Sequence, residues 1–125
     1  MQVTRTVPIF RIFDIGKARA FYTDWLGLEW AGAHQVCEGA PFYAFLKLGQ
    51  TEVLHLSEHH GDGTPGSAAM IFVDGLRPWF ENLRARPYPF YNPALEAQPW
   101  GLCCTVQDPF SNRIVFCDSA DSAGV

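Results

Sequence analysis

The stretch "VLHLSEHHGDGTPG", residues 53–66, gathers three of the chain's four histidines, His55, His59 and His60, together with Glu58 and Asp62. Imidazole and carboxylate groups at that density are the donor types of a divalent metal site, and also of an acid–base pair. Their spacing argues against both. His55 and His59 face one another only on a helix, whereas "EVLHLS" alternates as a strand does, which sets His55 on one face with Val53 and Ser57. His59 and His60 open a glycine- and proline-rich connector, expected to be flexible before it is chelating. Glu58 and His59 are adjacent, so their side chains diverge. The cluster thus divides into a strand with one histidine and a polar joint. His55 is either a core histidine satisfied by hydrogen bonds or a group that hydrogen-bonds a ligand in a cleft.

Other catalytic patterns are absent: there is no Gly-x-Ser-x-Gly, no phosphate-cradling glycine loop, no H-E-x-x-H and no recognisable Cys-His spacing. Cys37, Cys103, Cys104 and Cys117 form no C-x-x-C pair and are expected to be free thiols buried as small hydrophobes at alternating strand positions. With a net charge of −4 and no acidic or basic blocks, the chain offers no footprint for nucleic acid but would attract a cationic small molecule. No run is long and apolar enough for a membrane span, and "MQVTRTVPIF" is no signal peptide, so a cytoplasmic location is expected.

The elements that position these residues recur. "TVPIFRIFD" (6–14) reads as a strand, and Asp14 caps a helix in "IGKARAFYTDWLG" whose Ala18, Phe21, Tyr22, Trp25 and Leu26 share one face before Gly27 ends it. Three strands follow in "GLEWAGAHQV", "PFYAFLKLG" and "TEVLHLSE", with a hairpin turn at Gly49-Gln50. The second half repeats the order. "SAAMIFVD" (67–74) is a strand, "GLRPWFENLRAR" is a helix with Leu76, Trp79, Phe80 and Leu83 on one face, and Pro87 stops it. "YPFYNP", "GLCCTVQD" and "NRIVFCD" are then three strands, the last two joined by the turn "DPFSN". Asp14 precedes His55 by the same 41 residues that separate Asp74 from Val115. One α+β domain is expected over 1–125, with βαβββ repeats at about 5–58 and 67–118, a connector at 59–66, a frayed tail at 119–125, and two curved mixed sheets around a cleft.

Alternation also assigns faces. Tyr43 and Phe45 share one and Phe42 takes the other, while Trp30, Tyr88, Phe90 and Tyr91 divide between core and cleft. Phe45, Met70 and Phe72 are expected in the cleft, with Ala69, Ile71 and Val73 under the helix.

The residues "VPIFRIFDIGKARAFYTDWLGLEW", "QPWG" and "VQDPFSNRIVF" resemble the vicinal oxygen chelate superfamily, which includes glyoxalase I, extradiol dioxygenases and bleomycin-resistance proteins. Within it the chain most resembles the last, from about residue 6 to 118. The resemblance implies a homodimer that sequesters a bleomycin-type or similar planar molecule, without cofactor or catalysis, and so gives antibiotic resistance. It implies metal-ligand positions at Val7, His55, Ala68 and Val115, of which only His55 can coordinate, so the superfamily's usual metal centre is not expected. The alternative is a metal-dependent glyoxalase-type lyase or dioxygenase. It also implies that Trp100 offers its ring to a planar ligand, or packs at the dimer interface. Pro8 marks either a first strand exchanged between subunits or a plain strand start.

Overall fold

A computed structural model of the chain describes residues 1–86, 88 and 92–121. The first unit comprises β1 (Ile9–Arg11), α1 (Ile15–Arg19), β2 (Glu29–Gln35), β3 (Phe42–Leu48) and β4 (Thr51–Ser57). α1 runs on into a π-helical segment, Ala20–Trp25, in which the Leu26 amide reaches back to the Phe21 carbonyl. The second unit comprises β5 (Ala68–Phe72), α2 (Leu76–Arg84), β6 (Leu95–Gln98), β7 (Gly101–Gln107) and β8 (Arg113–Asp118). Each unit forms a four-stranded mixed sheet of the same order, β1-β4-β3-β2 and β5-β8-β7-β6, with the first strand parallel to the last. This is the α+β architecture of two βαβββ repeats.

The repeats share a local device. The Asp14 carboxylate caps α1 by accepting from the Lys17 amide at 3.0 Å, and Glu58, just beyond β4, accepts from the Ile15 amide at 2.9 Å. Asp118 at the end of β8 accepts from the Gly75 amide at 3.0 Å, and both acidic residues lie 43 positions beyond the amide they hold. A carboxylate at the first turn of a helix satisfies amides that have no partner within it. Glu58 is thus occupied by the backbone, since its other oxygen accepts from Phe42.

Several elements depart from the spacing-based expectation. A strand stands at "LEAQ", β6, where the spacing put none. Most of the strand expected in "YPFYNP" falls on residues 89–91, including Phe90 and Tyr91, which lie outside the described residues, as does Pro87. Tyr88 packs on the rings of Phe21 and Trp25. Gln98 ends β6 and pairs with Gly101 across a tight Pro99-Trp100 turn. Of the tail, 119–121 is tied down: the Asp121 carbonyl accepts from Leu102 and its carboxylate pairs with Arg77. Residues 122–125 lie outside the described ones. The connector is also held, because the Ser57 hydroxyl donates to Asp62 and accepts from the His59 amide. Cys37 is exposed rather than buried, since it lies beyond the end of β2; the other three cysteines are buried.

One continuous core takes the helix faces and inner sheet faces of both units, including Phe21, Tyr22, Trp25, Leu76, Phe80 and Leu83. Polar clasps cross between the units. Trp25 Nε1 donates to the Arg86 carbonyl and Arg86 Nε to the Trp25 carbonyl, each at 2.7 Å. The Tyr22 hydroxyl donates to the Asp108 carboxylate at 2.6 Å, and the Asn112 side-chain amide donates to the Arg11 carbonyl at 2.8 Å. Burial pushes the Asp108 carboxyl above its ordinary range, while the hydrogen bonds it accepts pull the other way.

Gly101 opens β7 at φ 143°, and a Cβ there would stand 2.6 Å from the Asp118 carbonyl oxygen. Gly101→Ala is expected to lower unfolding free energy by about 3 kcal/mol in urea titration. Tyr22→Phe, which leaves a buried carboxylate short of one donor, is expected to cost about 2 kcal/mol by the same measurement.

Candidate functional site

Leu54 and Leu56 of β4, and Ala44 and Leu46 of β3, enter the core. His55, Tyr43 and Phe45 therefore project from the opposite, open face of the first sheet. Phe45 pairs with His55 across the ladder, and their rings meet edge to face at 5.1 Å. Tyr43 stacks tilted on Phe45 at 5.6 Å and its hydroxyl lies 2.8 Å from His55 Nδ1.

A register shift after Leu46 leaves Val53 without a cross-strand partner, because Leu46 pairs with Leu54 and Lys47 with Glu52. Such a bulge reverses the alternation beyond it. Val53, expected beside His55, packs against the core instead, and Glu52 bonds His55 Nε2 through Oε1. Arg5 closes the chain by donating to Glu52 Oε2 at 2.9 Å. An ionised carboxylate only accepts, so Nε2 donates to Glu52; in the singly protonated ring Nδ1 then accepts the Tyr43 proton. The relay runs Tyr43–His55–Glu52–Arg5.

The hydrogen bond from His55 is the largest cause holding the Glu52 carboxyl below the usual range, with Arg5 adding to it. Desolvation, then the charges of Asp62 and Glu52, push the Tyr43 phenol up. Tyr43 thus stays a phenol near neutrality, its proton committed to His55 and its oxygen lone pairs free to accept from a ligand, beside the apolar wall of Phe45.

On the second sheet Leu102, Cys104, Val106, Ile114 and Phe116 face the core, with Ala69, Ile71 and Val73 packed against it. Met70 and Phe72 project from the open face and are 45% and 63% exposed. Trp100, 53% exposed, stands at the β6–β7 turn of this same sheet. Within one chain no described contact joins Phe45 to Met70 or Phe72; each group lies on its own unit's open face.

The ladder register sets the neighbours of His55 and Val115, whereas Val7 lies ahead of β1 and Ala68 opens β5. Ile9, rather than Val7, pairs with His55, and Met70, rather than Ala68, pairs with Val115. Neither Ile9 nor the second pair supplies an oxygen or nitrogen donor. Among the described residues no three His, Cys, Asp or Glu side chains converge to hold an ion. Pro8 directly precedes β1 at the sheet edge, where its carbonyl accepts from the His55 amide; β1 pairs with β4 of its own chain.

A further cavity of about 460 Å³ lies between the β3–β4 hairpin and the start of α2. Val53, Ile71, Phe72, Leu76, Trp79 and Phe116 line it, with Asp74 at its polar side. Spacing did not single it out, since its walls come from both units.

The sequence matches the family described as Glyoxalase superfamily protein over residues 1–123. The chain belongs to the glyoxalase superfamily. Solved structures agree in fold. A glyoxalase/bleomycin resistance protein from Streptomyces sp. CB03234 superposes with a TM-score of 0.70 at 19% identity, covering 90% of this chain and 97% of that one. The bleomycin-binding protein of bleomycin-producing Streptomyces verticillus, complexed with copper(II)-bleomycin, superposes at 0.69 with 24% identity over 94% and 98% of the two chains. The trypanothione-dependent glyoxalase I of Leishmania major superposes at 0.63 with 20% identity over 91% and 85%. No curated protein matches the sequence. Among the described residues no helix is long and apolar enough to cross a membrane.

His55→Ala is expected to raise the Glu52 titration toward the ordinary carboxylate range, and Arg5→Ala to raise it less; carboxyl carbon NMR would read both. Because the folded pKa is depressed, the stabilisation from Glu52 is present above the unfolded carboxylate pKa and is lost as pH falls through the folded one.

Proposed function

We propose that this glyoxalase-superfamily chain is a non-enzymatic binding protein whose cytoplasmic homodimer sequesters a planar, cationic small molecule of the bleomycin type. The observation that carries this reading is the pair of uncovered sheet faces. One bears Tyr43, Phe45 and His55, and the other bears Met70 and Phe72, with Trp100 at the turn beside them. Exposed apolar and aromatic side chains grouped on a face mark a surface that something covers. Each face supplies one wall, and apposing the first face of one copy to the second face of another would complete two equivalent clefts.

In such a cleft Trp100, Phe72 and Phe45 stack on flat heteroaromatic groups. The Tyr43 oxygen accepts a hydrogen bond from a ligand amide or ammonium, and the net charge of −4 favours a cation. Sequestration requires affinity alone, so resistance follows from a lower free drug concentration. The bleomycin-binding relative from Streptomyces verticillus supports the ligand class.

Calorimetric titration with metal-free and copper(II)-loaded bleomycin tests the proposal, with sedimentation to read the oligomer. Saturable binding to a dimer is expected, and Trp100→Ala and Phe72→Ala each weaken it by about 10-fold or more. No heat at high micromolar ligand, or a monomer that binds unchanged, would overturn it.

A further inference from the structure

The side of the second sheet turned away from the core also carries sulfur, at two buried positions. Leu102, Cys104 and Val106 turn into the core, so Cys103 alternates outward from it; Ile114 and Phe116 do the same for Cys117. Antiparallel pairing sets Cys103 directly across from Cys117, and side chains so placed have Cβ atoms about 4.5–5.5 Å apart. Both thiols are free. Cys103 Sγ also lies 3.8 Å from the Gly101 carbonyl oxygen, and Cys117 Sγ 3.9 Å from that of Trp100. Adjacent β5 adds a third sulfur. Phe72 pairs with Cys117, and Met70, two residues earlier, shares its face, a diagonal offset that a long side chain can span.

We propose that Cys103 and Cys117 form a two-sulfur site for a soft monovalent cation, Cu(I), with the Met70 thioether as a third, weaker donor. Thiolate and thioether ligands select Cu(I) over hard ions, which prefer oxygen donors. A structural zinc site takes four donors, and no larger His, Cys, Asp or Glu group converges among the described residues. Two sulfurs held across a hydrogen-bonded ladder suit an ion content with two or three neighbours. The step balances simply: two S–H bonds break, two S–Cu bonds form, two protons pass to solvent, and copper stays Cu(I). Cys104, on the core side of the same strand, takes no part. The site is built within one chain and stands whether or not the dimer cleft binds drug.

The test uses the reduced full-length protein carrying Cys37→Ser, which removes the exposed thiol, titrated without oxygen with Cu(I) against a chromophoric Cu(I) chelator. One equivalent is expected to bind with an ultraviolet sulfur-to-copper band, and X-ray absorption should show two or three sulfur neighbours. Cys103→Ala or Cys117→Ala should weaken binding by about 100-fold or more, Met70→Leu by several-fold, and Cys104→Ala not at all. Circular dichroism checks that the variants fold. Should they not, the X-ray absorption of the Cys37→Ser protein decides alone: copper bound through nitrogen or oxygen overturns the proposal. Binding no tighter than in the Cys103→Ala/Cys117→Ala protein overturns it equally.

Discussion

Asp108, buried under the β7–β8 turn, accepts hydrogen bonds from the Tyr22 hydroxyl, the Phe110 and Asn112 amides and the Asn112 side chain. The same Asn112 donates to the Arg11 carbonyl and accepts from the Ser67 amide. One turn of the second unit thereby holds the first strand and first helix of the first. Burying a carboxylate disfavours its charged form, and the site is sustained by the number of donors it engages. With the helix faces of both units committed to one core, the other face of each sheet is left uncovered.

That division of faces decides what the chain can do. The relay from Tyr43 to Arg5 stands on the first open face, and the apolar and sulfur side chains of Met70, Phe72, Cys103 and Cys117 stand on the second. Neither face is a pocket by itself. Across the ladders Ile9 lies beside His55 and Met70 beside Val115, so neither neighbour offers a side-chain hydrogen bond. His55 turns to Glu52 and Tyr43, which engage both of its ring nitrogens.

Much of this was legible in the residue order. Periodicity places both helices, the Gly49-Gln50 hairpin, the strand carrying His55, and the faces of Phe45, Met70 and Phe72. The misses have particular physical causes. "LEAQ" has little of the β-branched or aromatic character that marks a strand, yet it pairs with β7 along its whole length. Glu52 falls out of phase with His55 by simple alternation, and only the bulge at Val53 brings them together. The connector and residues 119–121 read as loose because their composition is polar, yet Ser57 and Asp62 bond locally across the start of the connector and Asp121 pairs with the distant Arg77.

The sequence by itself determined the duplicated βαβββ order and the faces of most strands, because these depend on local periodicity. Tertiary structure alone decided which residues complete the His55 relay, where the cross-strand thiols meet, and how the two units share a core. Those outcomes rest on register, on a one-residue bulge and on hydrogen bonds between positions as far apart as Arg11 and Asn112, and no short window of sequence encodes them.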